Sequence, residues 1–244
     1  FATGYNNIDV EYANSHGITV CNVPGYSTEG VAQHTIALML AVVGQIGKYN
    51  EILKKGDWQT IREFKNFPLP LMELSKKTLG IIGYGAIAHR VADVAKAFNM
   101  KVIVVNRSKV LDTTVTQVSL DYLLSNSDII SLHCPLNEDS KGMINKEAFD
   151  KMKQGAILIN TARGPIVDEQ ALCDALNSGK LAGAGIDVLS REPIDSDCPL
   201  YNAKNCIITP HIAWAGMETR LRLFDVVKRN LEMFLNGTPQ NVVK

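Results

Sequence analysis

Residues 78–88 read Thr78-Leu79-Gly80-Ile81-Ile82-Gly83-Tyr84-Gly85-Ala86-Ile87-Ala88. A short apolar run ends in a glycine turn and passes at once into an amphipathic stretch, Ile87 to Phe98. Strand, turn and helix in that order form the fingerprint of a dinucleotide site, with alanine standing in the third glycine position. Gly83 permits the tight turn. Gly85 has no Cβ, so a pyrophosphate can approach the backbone, and Ala88 is small enough for the helix to lie against the strand. The free N–H groups near Ala86 and Ile87 face that phosphate from the positive end of the helix dipole. A glycine turn alone occurs by chance. Its context gives this one weight, because it opens a longer alternating array.

That array sets the fold class. Apolar runs at Leu79 to Ile82, Lys101 to Val105, Asp128 to Leu132, Ala156 to Asn160, Gly183 to Asp187 and Cys206 to Thr209 are rich in Val and Ile. Helical patterns separate most of them, at Ile87 to Phe98, Leu120 to Ser125, Lys146 to Met152 and Asp168 to Ser178. Strands alternating with helices imply a parallel sheet covered on both faces. Right-handed crossovers then leave an α/β, doubly wound (Rossmann) sheet as the simplest topology.

Outside the array, Asn7 to Ser15 reads as a helix closed by Gly17, and Gly17 to Cys21 as a short strand. So few elements cannot bury both their faces, so residues 1–22 look like the tail of a domain whose front is missing. Pro24 and Gly25 turn the chain. A long apolar helix capped by Ser27 or Thr28 is expected to run to about Lys55, followed by a loop at 56–75 in which Pro68 and Pro70 block helix. Met217 to Leu235 reads as one amphipathic helix, stopped by Asn236-Gly237 and Pro239. The expected division is a remnant over 1–22, a dinucleotide-binding domain over 23–212, and a C-terminal segment over 213–244.

The acidic residue that usually reads the adenosine ribose is absent. Its place, eighteen residues past Ala88, holds Asn106, followed by Arg107. A carboxylate there would repel a 2′-phosphate. Asn106 removes that repulsion and Arg107 can pair with the phosphate. The reading leans to NADP and leaves NAD open.

Three polar residues follow late strands, where open α/β sheets build their sites. They are Arg163 after Asn160, Glu192 after Asp187, and His211 after Thr209. Together they suit hydride transfer to a ketone. A protonated His donates to the oxygen that gains charge, a carboxylate beside it holds the ring, and an Arg forks onto the carboxylate of a 2-oxo acid.

Composition excludes other classes. Among 244 residues, 46% are hydrophobic, enough for a real core. Lys+Arg and Asp+Glu are 25 each, a formal net charge of zero, which gives no electrostatic reason to bind nucleic acid or an anionic membrane. The longest apolar stretch, Val31 to Gly47, carries Gln33, His34 and Gln45 and is short for a membrane span. Five scattered cysteines without CxxC spacing argue against a disulfide framework or a zinc site, and for a reducing, cytoplasmic setting. No basic-then-apolar leader opens the chain, which begins at Phe1.

Taken whole, the sequence resembles the D-isomer-specific 2-hydroxyacid dehydrogenases, and within them the glycerate dehydrogenases (hydroxypyruvate reductases). The resemblance rests on Gly4-Tyr5-Asn6-Asn7-Ile8-Asp9, Asn22 to Thr28, the glycine turn, Ser131-Leu132-His133-Cys134-Pro135, Asn160 to Glu169, Gly185 to Val188, Glu192-Pro193, and Pro210 to Ala215. It implies that residues 1–22 belong to a flavodoxin-like substrate domain, to which the C-terminal helix returns. It implies that Arg163 binds the substrate carboxylate and carbonyl, that Glu192 pairs with the acid/base His211, and that a backbone N–H at Gly4 helps hold the substrate. For the cofactor it implies Ala86 and Ile87 at the pyrophosphate and Asn106 and Arg107 at the ribose. Cys134, Pro135 and Ser140 would stand near the adenine, Thr161 and Ala162 would touch the cofactor through backbone, and Asp187 would hold the nicotinamide carboxamide. A homodimer built around the long helix after Thr28 is also implied.

Expected substrates are small 2-oxo acids, hydroxypyruvate or glyoxylate, reduced to D-glycerate or glycolate. Other readings stay open at this level: a dinucleotide-sensing, corepressor-like binder, a formate or phosphite oxidase, or an inactive fragment of the dehydrogenase. Glu192 speaks against formate oxidation, since formate members carry Gln there.

Overall fold

A computed structural model describes residues 1–5, 7–56 and 69–243. Seven parallel strands lie in the order β3-β2-β1-β4-β5-β6-β7: β1 Thr78–Ile82, β2 Lys101–Val105, β3 Thr116–Gln117, β4 Ile129–Leu132, β5 Ala156–Asn160, β6 Leu181–Ile186 and β7 Cys206–Ile208. The order reverses beside β1, as a doubly wound sheet requires. The helices are α1 Val10–Ser15, α2 Thr28–Gly44, α3 Ile46–Lys54, α4 Ala86–Ala97, α5 Leu120–Asn126, α6 Lys146–Lys151, α7 Glu169–Asn177 and α8 Met217–Leu235.

The strand periodicity of two distributes side chains between two apolar layers. Leu79, Ile81, Ile129, Ile157 and Ile159 pack with α2 and α4. Ile82, Ile130, Leu132, Ala156 and Leu158 pack with α5, α6 and α7 on the other face. Each fully buried Ile or Leu contributes about 1.5–3 kcal/mol.

Helix α2 lies unusually close to β6. A Cβ on Gly183 would press 2.7 Å from Val42, and one on Gly185 would sit 3.0 Å from Leu38. The two glycines thus let the N-terminal half of α2 run beside the carboxyl ends of the late strands.

The structure corrects three expectations. The helix from Ser27 to Lys55 is broken: Gln45 adopts a left-handed φ of 48°, and α2 and α3 meet at a bend of 54°. The Gln45 side chain donates to the Val42 carbonyl at 2.8 Å and holds the break. Gly17 to Cys21 forms no strand; Cys21 makes a single antiparallel bridge to Val242. Strand β3 was not expected, being two exposed polar residues on the sheet edge. Pro68 and Asn6 lie outside the described residues.

The C-terminal segment runs back to the start of the chain. The Asn22 N–H donates to the Asn241 carbonyl at 3.0 Å, that of Val243 to the Val20 carbonyl at 2.8 Å, and the Asn230 amide of α8 to the Asn22 carbonyl at 2.9 Å. Val23, Tyr26 and Leu223 close a small apolar cluster there. Among the described residues no single helix is long and apolar enough to cross a membrane, though α2 and α3 pass that test as a bent pair.

Candidate active site

A cavity of about 540 Å³ opens at the carboxyl ends of the central strands. The glycine turn forms one wall. Gly83 has φ 88°, and a Cβ there would stand 2.5 Å from the Cys134 nitrogen, so only glycine lets the turn pass beneath the His133–Cys134 backbone. A Cβ on Gly85 would meet nothing within 4 Å, which leaves the space above it open. Gly85 caps α4 without a side-chain hydrogen bond, so the first-turn N–H groups keep no protein cap, and Ala86 and Ile87 line the cavity. A concave wall with open backbone donors and positive helix potential fits a dinucleotide pyrophosphate.

The opposite wall comes from the late strands. Thr161, Ala162 and Arg163 follow β5, Asp187 follows β6, and His211 follows β7; all five line the cavity. Gly4 lines it from the N-terminal segment, and Cys134 and Pro135 from the loop after β4. Burial pushes the Cys134 thiol up, so it stands as a neutral wall.

His211 and Glu192 meet. Glu192 Oε2 lies 2.7 Å from His211 Nδ1, and its Oε1 accepts the Leu189 N–H at 3.0 Å. With Nδ1 taken, Nε2 is the ring nitrogen left for a ligand. His211 itself holds a left-handed φ of 53°. The Asp187 carboxylate fixes the turn that carries it, with Oδ1 accepting the Thr209 hydroxyl at 2.5 Å and the Ile212 N–H at 2.9 Å, and Oδ2 the Ala213 N–H at 2.9 Å. Arg163 Nη1 donates to the Ala162 carbonyl at 2.7 Å, which steadies the guanidinium beside the cavity.

Other expected site residues stand elsewhere. Asn106 Oδ1 accepts the Tyr84 N–H at 3.1 Å, and its amide donates to the Ser108 carbonyl and hydroxyl, so its side chain pins the glycine turn to the end of β2. Arg107 is exposed beside it, outside the cavity wall. Ser140 is buried; its hydroxyl donates to the Pro135 carbonyl at 2.7 Å and accepts the Asn137 N–H, organising the 135–140 turn.

Sequence reasoning missed Thr3, Tyr26, His133 and Trp214 as wall residues. Tyr26 follows the Pro24-Gly25 turn that the sequence marks. Burial raises its phenol pKa while the Arg163 charge pulls it down, so the ring faces the cavity as a neutral hydroxyl. His133 accepts or donates at 2.8 Å with the Ser131 hydroxyl, and burial pushes it down to about 4.

Comparison with known proteins agrees with this geometry. A family model described as D-isomer specific 2-hydroxyacid dehydrogenase, NAD binding domain, matches residues 36–213. The chain is 49% identical over 245 residues to a hydroxypyruvate reductase of Blautia hydrogenotrophica, spanning 99% of this chain and 76% of that protein. It is 42% identical over 250 residues to a glycerate dehydrogenase of Methylorubrum extorquens, spanning 100% and 77%. An acyclic imino acid reductase in complex with NADPH and D-Arg superposes with a TM-score of 0.90 at 37% identity, covering 100% of this chain and 76% of that one. A D-lactate dehydrogenase from Aquifex aeolicus complexed with NAD and lactic acid superposes with a TM-score of 0.88 at 35% identity, covering 97% and 75%. The chain belongs to the D-isomer-specific 2-hydroxyacid dehydrogenase family.

Proposed function

We propose that the protein reduces a short 2-oxo acid, hydroxypyruvate or glyoxylate, to the corresponding 2-hydroxy acid with NADH or NADPH. The observation that carries the reading is the 2.7 Å contact between Glu192 and His211, whose ring lines the same cavity as the open first turn of α4. When bound, a reduced nicotinamide supplies the hydride to the 2-oxo carbon.

The protein's own groups do the rest. The N–H groups at Ala86 and Ile87 would hold the pyrophosphate. Cys134 and Pro135 wall the adenine side, beyond the turn that Ser140 organises. Thr161 and Ala162 offer backbone contacts, and Asp187 closes the nicotinamide end. Arg163 forks onto the substrate carboxylate, helped by the backbone at Gly4, and polarises the carbonyl. His211 passes the proton on Nε2 to the carbonyl oxygen as that oxygen gains charge, and Glu192 steadies the ring.

Hydroxypyruvate and glyoxylate are favoured because relatives at 49% and 42% identity bear the names hydroxypyruvate reductase and glycerate dehydrogenase. NADP preference is inferred from Asn106, which brings no charge, and from the exposed Arg107 beside it. A homodimer is inferred with its contact around α2 and α3, where Ile46 is 68% exposed. A reducing, cytoplasmic setting is inferred from five free cysteines, Cys21, Cys134, Cys173, Cys198 and Cys206.

The test follows NADH and NADPH oxidation with hydroxypyruvate, glyoxylate and pyruvate. Turnover of the first two supports the reading. Cofactor binding without turnover of any 2-oxo acid overturns it and favours a sensing role.

A further inference from the structure

His34 has no part in the mechanism so far, yet it reaches the site from α2. Its Nε2 stands 3.0 Å from the Thr209 hydroxyl oxygen and 3.3 Å from Asp187 Oδ1. A threonine hydroxyl has one hydrogen, and here it points at Asp187 Oδ1, 2.5 Å away. Towards His34 the Thr209 oxygen can therefore only accept, so Nε2 carries the hydrogen and donates to Thr209, whose hydroxyl in turn holds Asp187.

The Asp187 side chain is fully buried. Its donors are the Thr209 hydroxyl and the N–H groups of Ile212 and Ala213, and His34 stands behind the Thr209 hydroxyl, 3.3 Å from Oδ1. A buried carboxylate holds its place only while its donors remain. This one grips both residues that follow His211, which keeps a left-handed backbone that a non-glycine residue adopts only when its surroundings enforce it. The Gly183 and Gly185 contacts seat α2 tightly on β6, so the imidazole of His34 projects from a rigid support.

We propose that His34 is a positioning residue for the reaction: its Nε2–H fixes the Thr209–Asp187 pair, and through the 209–213 turn it fixes the aim of His211. The assignment rests on the reading of His211 as the proton donor. It differs from a packing role in requiring a donor at one point in space.

The test compares His34→Leu, which removes the donor, with His34→Gln, whose amide nitrogen reaches to about the same position. Two measurements are made on each: steady-state kinetics with hydroxypyruvate, and amide hydrogen exchange at Ile212 and Ala213. In His34→Leu, kcat is expected to fall about tenfold or more with KM changed less than about twofold, the pattern of a misaimed catalytic group. Exchange at Ile212 and Ala213 is expected to quicken at least about tenfold while β1 amides stay unchanged, as for a local opening. His34→Gln should recover most of both. Unchanged exchange at Ile212 and Ala213 in His34→Leu, or a His34→Gln as damaged as His34→Leu, overturns the proposal. If the unaltered protein turns over no 2-oxo acid, the functional reading fails, and the exchange experiment, which needs no turnover, still decides the role of His34.

Discussion

Glu192 holds His211 with one carboxylate oxygen and its own loop with the other: Oε2 is 2.7 Å from Nδ1 while Oε1 takes the Leu189 N–H at 3.0 Å. The ring is thereby aimed and the carboxylate cannot rotate away. Glu192→Gln preserves the shape but replaces one carboxylate oxygen with an amide, weakening the acceptor that holds Nδ1. Its kcat is expected to fall about tenfold or more, a smaller loss than the roughly hundredfold or greater one expected when the general acid itself is removed. Steady-state assays at saturating cofactor check this.

Arg163 presents a planar fork at the cavity, braced by its bond to the Ala162 carbonyl at 2.7 Å. Arg163→Ala should raise KM for the 2-oxo acid and lower kcat together, because in the proposed reading the same group binds the carboxylate and polarises the carbonyl. Arg163→Lys should recover little, since an ammonium cannot fork. Initial rates against substrate concentration separate the two effects.

Arg107 is exposed beside Asn106, a residue that brings no negative charge to the proposed ribose side. Arg107→Ala is expected to weaken NADPH about tenfold, the order of a lost charge-assisted contact, and to leave NADH nearly unchanged. Fluorescence titration with both cofactors is the check. Equal losses would remove Arg107 from cofactor choice.

His133 gives the fold a pH dependence whose sign can be worked out. Burial lowers its pKa from 6.5 to about 4. Between those values the unfolded chain takes up a proton that the folded chain refuses, so stability falls as pH drops. The contribution is complete above pH 6.5 and declines towards pH 4. Thermal melts from pH 7.5 to 4.5 should show Tm falling more steeply for the natural protein than for His133→Gln, which carries no titrating group there.

The sheet was legible because its central strands β1, β4, β5 and β6 are buried on both sides and read as continuous apolar runs; β1, β2 and β5 fall within a residue of their expected limits. Strand β3 was not, because Thr116 and Gln117 are exposed and carry no apolar signal. The break at Gln45 was hidden because the left-handed residue is a glutamine and not one of the glycines beside it, Gly44 and Gly47. Arg163, Glu192 and His211 were legible as candidates because each follows a late strand, and the structure brings Glu192 and His211 into contact and puts Arg163 and His211 on the cavity wall. Tyr26, His133 and Trp214 reach the cavity through tertiary packing, which periodicity does not encode. Asn106 was expected at the ribose; its amide ties β2 to Tyr84, a contact that spacing alone does not reveal.

Proton donation by His211 is measured most directly by comparing the natural protein with His211→Ala in single-turnover and steady-state reduction of hydroxypyruvate, with cofactor affinity measured on both. Loss of a general acid should slow turnover about a hundredfold or more while cofactor affinity stays within about twofold, because the proposed pyrophosphate contacts, at Ala86 and Ile87, lie on the opposite wall of the cavity. Turnover at the natural rate in His211→Ala would contradict the assignment of the proton to this ring.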